Sequence, residues 1–96
     1  MVELTEHAYE RWKKRCKGNR KSLEKSAQKA YDSGKRSCDF SKETRVYLDN
    51  LLKQSHGNSV RVYANFVYIF YDTVLITLFP LNTKLLKKEI VRGQYD

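Results

Sequence analysis

Turn-forming and metal-binding residues are scarce in this chain, with four glycines and a single proline in 96 residues. The glycines stand apart from one another, which excludes a glycine-rich phosphate loop. No repeat, low-complexity tract or obvious linker divides the chain. There are two histidines and two cysteines, and Cys16 and Cys38 share no ligand spacing with His7 or His56. No metal and no cofactor are expected. Reduced thiols in a cytoplasmic protein are the first expectation, with a disulfide as the alternative. Patterns of the GxSxG or HExxH kind and clustered carboxylates for magnesium are missing too. The longest apolar stretch, around Val74–Leu81, is far too short to span a bilayer and contains Pro80. The N-terminus leads straight into a charged amphipathic segment, so neither a signal peptide nor a membrane partner is expected.

Acids are the other deficit. The chain carries 11 Asp and Glu against 19 Lys and Arg, a net charge of +8. Such an excess favours an anionic partner, whether nucleic acid, lipid headgroups or an acidic protein. Solubility alone is the plainer explanation. The charge is uneven: Arg11, Lys13, Lys14, Arg15, Lys17, Arg20 and Lys21 form a run without a single acid, whereas the C-terminal strand region is close to neutral. A hydrophobic content of 41% suits a folded core, and the length suits one domain spanning residues 1–96.

The pattern predicts helices over about 6–16, 23–33 and 42–54, with Thr5, Ser22 and Ser41 as N-caps and Gly18, Gly34 and Gly57 as closing residues. Helix one would bury Leu4, Ala8, Trp12 and Cys16, helix two Leu23, Ala27, Ala30 and Tyr31, and helix three Tyr47, Leu48, Leu51 and Leu52. Strands follow at about 60–63, 66–71 and 74–79, split by Ala64-Asn65 and Asp72-Thr73, which suit tight hairpins. A short strand at Val2–Leu4 and a helical tail over 84–92 complete the reading. The fold class is α+β, with helices packed on one face of a small antiparallel meander.

Two constellations stand out. His7, Arg11 and Arg15 recur at every fourth position and share one stripe of helix one. Histidine titrates near neutrality and arginine offers a two-pronged donor to phosphate oxygens. The alternative is a solvated charged face. With two-residue turns, Arg61 faces Tyr68 and Tyr68 faces Thr77, which lines a cation and two hydroxyls across the sheet. Metal-independent cleavage of RNA needs a base, an acid and donors around the phosphorane. Arg61 would neutralise charge there, Tyr68 and Thr77 would donate hydrogen bonds, and Tyr63 and Phe66 would stack on bases. Cross-strand stabilisation of a second buried face is the competing account. His56 reads as a helix-end residue and Trp12 as core.

The stretch Leu4-Thr5-Glu6-His7-Ala8-Tyr9-Glu10-Arg11, together with Val60–Phe70 and Leu75–Leu81, resembles the small RNase-like proteins of the barnase–EndoU–colicin–RelE superfamily. The likeness is nearest to short phage, plasmid and bacterial domains that begin with a Thr-x-His-Ala-x-x-Arg helix. It covers the two ends of the chain, and the middle, 18–58, matches only in being helical. The resemblance implies a RelE- or barnase-like fold, with His7, Arg11 and Thr77 as site residues and Arg61 as an added phosphate ligand. Two functions are therefore expected in order. The first is a toxin-like, metal-independent ribonuclease whose Lys13, Lys14, Arg15, Lys17, Arg20 and Lys21 grip the RNA backbone, with an antitoxin or immunity protein as partner. The second is a non-catalytic phage or mobile-element protein that binds a host protein or nucleic acid as an inhibitor. A homodimer formed through an exposed aromatic sheet face is a weaker third.

Overall fold

Thr5 sets the first helix. In the computed structural model, which describes residues 2–81, its hydroxyl accepts the Ala8 N–H at 3.1 Å and so caps α1, Glu6–Cys16. Ala8 and Trp12, one turn apart, are buried, whereas Cys16 is exposed, so the apolar stripe ends a turn earlier than expected. The second helix, α2, spans Arg20–Ser33 and is capped by Asn19, not Ser22. Ser22 instead accepts a hydrogen bond from the Trp12 indole at 3.1 Å and donates to the Asn19 carbonyl at 2.8 Å, which locks the turn between the helices. Leu23, Ala27 and Ala30 form the buried face of α2. A short 3-10 turn at Ser37–Asp39 leads to α3, Lys42–Gln54, with Ser41 in the N-cap position and Thr44 and Leu48 buried.

The sheet comprises β1 (Glu3–Leu4), β2 (Ser59–Tyr63), β3 (Phe66–Tyr71) and β4 (Val74–Pro80), in the order β1-β4-β3-β2. The last three strands make the expected antiparallel meander, and β1 extends it by pairing parallel to β4. Both turns use the left-handed backbone that Asn and Asp tolerate, with φ of 67° at Asn65 and 54° at Asp72. The chain is thus α+β with a mixed sheet. The expected helix over 84–92 lies outside the described residues.

Two features depart from expectation. First, β4 carries one extra residue: Phe70 pairs with Leu75, but Ile69 pairs with Thr77, leaving Ile76 as a bulge. A bulge reverses the inside–outside order of everything beyond it. Leu78, not Thr77, therefore faces Tyr68, and the proposed row across the sheet stops at Arg61 and Tyr68. Second, helices cover both faces. Tyr68, Phe70, Leu75 and Leu78 pack with Ala8, Trp12, Leu23, Ala27 and Ala30 from α1 and α2. Val60, Val67 and Ile69 pack with Leu48 of α3 and with Leu81, and Phe79 adjoins that second cluster. On the aromatic face Tyr68 and Phe70 are fully buried and Tyr63 and Phe66 partly buried, so these rings pack on the core and do not form an open platform.

Gly34 closes α2 as expected, with its N–H on the Ala30 carbonyl, but the ends of α1 and α3 are formed differently. Positive φ falls on Lys17 and His56 at the ends of α1 and α3, and no described glycine adopts it. Gly57 is needed for space: a Cβ there would stand 2.5 Å from Ile69 Cγ2 and 2.8 Å from the Phe70 carbonyl oxygen.

Candidate functional site

The bulge turns Thr77 towards α1 and α3. Thr77, Ile76 and Phe79 of β4 line a cleft of about 360 Å³ with His7 and Arg11 of α1 and with Gln54 and Ser55 at the end of α3. A groove of about 440 Å³, lined by Glu10, Lys14 and Arg15, adjoins it through the same His7 and Arg11. Residues from both ends of the described chain thus meet at one place.

Arg11 organises this cleft. Its Nε donates to His7 Nε2 at 3.2 Å, and its guanidinium carbon stands 4.9 Å from the centroid of the Phe79 ring. The first contact makes Nε2 the acceptor, so the neutral imidazole carries its proton on Nδ1. The second holds a planar cation against a ring, an arrangement that restricts its rotamers while leaving donors for an anion. Thr77 is only 4% exposed, and its Oγ1 has no hydrogen-bond partner. Hydroxyls in that position are uncommon, because a buried donor without an acceptor costs free energy.

Arg61 and Tyr68 stand elsewhere. Tyr68 is sealed beneath α2, and burial pushes its phenol up to about 12, against the downward pull of hydrogen bonding to Ser26. Arg61 lies on the edge strand β2, beside Tyr31 of α2. Tyr63 is half-buried and packs on the α1–α2 core together with Phe66, whose ring lies 6.3 Å from that of Trp12. These residues are not brought into the cleft.

The basic run is exposed along α1 and the start of α2, at Lys13, Lys14, Arg15, Lys17, Arg20 and Lys21. It is less uniform than the sequence implies. Arg20 pairs with Glu6 at 2.7 Å and stacks 4.6 Å from the Tyr9 ring centroid, and Lys13 approaches the same ring at 5.4 Å.

Glu10, Gln54 and Ser55 escaped the sequence reading. Glu10 lies three positions after His7, so helical spacing alone places it on that face. Gln54 and Ser55 carried no signal, since their place depends on α3 crossing the second face of the sheet. Among the described residues, no three His, Cys, Asp or Glu lie close enough together to hold a metal ion, and no helix is long and apolar enough to cross a membrane. No family model, no curated protein and no solved structure matches the chain.

Proposed function

We propose that the chain binds RNA in the cleft between α1, α3 and β4, and that the same cleft supports metal-independent cleavage. The observation behind this reading is that His7, Arg11 and Thr77, drawn from α1 and β4, line one cleft of about 360 Å³, with the unpartnered Thr77 hydroxyl buried in its wall. In such a reaction the 2′-hydroxyl attacks the adjacent phosphorus, its proton passes to a base, and the departing 5′-oxygen takes a proton from an acid. His7 supplies the base. Glu10, in the adjoining groove, is the second titratable group within the basic surroundings. Arg11 holds phosphate oxygens, and Thr77 donates to the charge that builds on the phosphorane. Lys14 and Arg15 extend the contact along the backbone. An activity of this kind belongs in the cytoplasm and calls for a cognate inhibitor protein.

One observation favours a binding-only protein of the inhibitor kind. Arg11 Nε occupies His7 Nε2, the very lone pair a base would use. Incubation with total RNA in EDTA, with His7→Ala and Arg11→Ala as controls, separates the two. Cleavage by wild type that both substitutions abolish supports catalysis. Retention of RNA without cleavage supports binding alone, and neither retention nor cleavage refutes both.

A further inference from the structure

The basic residues that crowd α1 and the start of α2 are not equivalent. Lys13 and Arg20 lie against the Tyr9 ring, at 5.4 and 4.6 Å from its centroid, and Arg20 is paired with Glu6. Their charge is partly answered within the fold. Arg11 and Arg15 stand on the other side of the helix, with His7, and both line the groove of about 440 Å³. Among the described residues neither makes an ion pair. The open cations therefore form a row along one side of α1.

The helix fixes the step of that row. Arg11 and Arg15 are four residues apart within the uninterrupted α1, Glu6–Cys16, so they are separated by about 6 Å along its axis. The sugar–phosphate link between neighbouring phosphates of one strand spans a similar distance. Arg11 is held further by His7 Nε2 at 3.2 Å and by the Phe79 ring at 4.9 Å. One acid, Glu10, stands in the same groove. Lys14 follows it by one turn, the spacing at which opposite charges offset each other on a helix, so the groove stays positive. Phe79, the ring beside the row, lies under Arg11 and packs against the second core cluster, which leaves it no face for a base.

We infer that this row measures phosphate spacing: Arg11 takes one phosphate in the cleft beside His7, and Arg15 takes the next phosphate of the same strand in the groove. The ligand is a short strand with at least two consecutive phosphates, recognised by its backbone and not by its bases. The inference rests on the RNA reading of the cleft and adds a fixed spacing to it. Arginine suits both positions, since its planar fork takes two phosphate oxygens at once. A merely solvated basic face makes a different forecast, because non-specific binding climbs by a similar step with each charge neutralised.

The test is an NMR titration of the full chain at low salt with uncleavable 2′-O-methyl oligouridylates that carry one, two or three phosphodiesters. The α1 amides and the Nε–H signals of Arg11 and Arg15 report binding. Affinity should rise about tenfold from one phosphodiester to two, with the Arg15 signal moving only at the second, and less than about threefold from two to three. Arg15→Gln should abolish the first step and keep the response of Arg11 to the shortest ligand. Lys29→Gln, an exposed change of equal charge on α2, should keep the step. Oligoadenylates should match the uridylates to within about threefold. Equal gains at every added phosphate, or a step that survives Arg15→Gln, overturn the spacing and leave RNA binding at the cleft standing. A strong preference for one base overturns recognition by the backbone alone. Silence at every length removes the RNA reading and this inference with it.

Discussion

The Thr5 hydroxyl donates to the Ile76 carbonyl at 2.9 Å, and it also lies 3.0 Å from the Leu75 carbonyl. One side chain thus caps α1 and satisfies the carbonyls of the β4 bulge, two structures far apart in sequence. Helix position and strand register are coupled through it. Thr5→Val keeps the shape and removes both functions, so it should destabilise the protein by about 1–2 kcal/mol, with Thr5→Ser recovering most of the loss. Urea unfolding measures this. A Val variant as stable as wild type would mean that the bulge needs no such tie.

Thr77 is placed by that bulge, and its hydroxyl goes unpaired. Thr77→Val exchanges the hydroxyl for a methyl of the same shape. Stability should rise by about 1 kcal/mol, because an unsatisfied donor leaves the interior. RNA binding or cleavage should fall in the same variant. A gain in stability with unchanged RNA affinity would restrict Thr77 to a structural role.

The elements were legible from local chemistry, and their arrangement was not. Thr5 announces a cap because its hydroxyl takes a backbone N–H three residues on, and Asn65 and Asp72 announce two turns because both residue types tolerate positive φ. The strand boundaries follow from β-branched and aromatic runs between those turns. Ile76 gives no such warning. As a bulge it looks like any strand isoleucine, yet it exchanges the faces of Thr77 and Leu78. The Arg61–Tyr68 pairing lies before the bulge and is met, while Tyr68–Thr77 lies beyond it and is not. His7, Arg11 and Thr77 share a cleft for a reason alternation did not supply: the bulge turns Thr77 to the face that α3 covers. The burial of Tyr68 and Phe70 was ambiguous as well, since aromatic strands serve open platforms and cores equally.

Gly57 holds α3 close to β3. A Cβ at this position meets Ile69 Cγ2 and the Phe70 carbonyl at 2.5 and 2.8 Å, and the second of these is backbone that cannot swing aside. Gly57→Ala should cost about 1–3 kcal/mol through overpacking. Because Gln54 and Ser55 lie just before it, amide shifts in the cleft should accompany the loss. A thermal melt within a degree of wild type would show that α3 shifts freely.

Tyr68 predicts an alkaline limit. Its phenol is raised from 10.0 to about 12 in the folded protein, chiefly by burial. The folded chain therefore keeps the proton while the unfolded chain releases it. The group has no effect on stability below pH 10, and it lowers stability as pH rises from 10 towards about 12. Tyr68→Phe loses the Ser26 contact but cannot ionise, so its stability should fall less steeply over that window. Parallel slopes for the two proteins would show that other groups dominate alkaline unfolding.

Arg11 tests whether the cleft reads geometry or charge. Arg11→Lys keeps the cation but gives up the planar fork, the contact with His7 Nε2 and the close stacking on Phe79. Affinity for an uncleavable hexanucleotide, followed by fluorescence anisotropy, should drop about tenfold while its salt dependence stays the same, because counterion release counts charges. Arg11→Ala should weaken binding further and reduce the salt slope by roughly 0.7–1. Equal affinity for all three proteins would remove the α1–β4 cleft from RNA recognition. A Lys variant that binds like wild type while Ala does not would make the cleft an unspecific basic surface, and His7 would then have no oriented phosphate to act on.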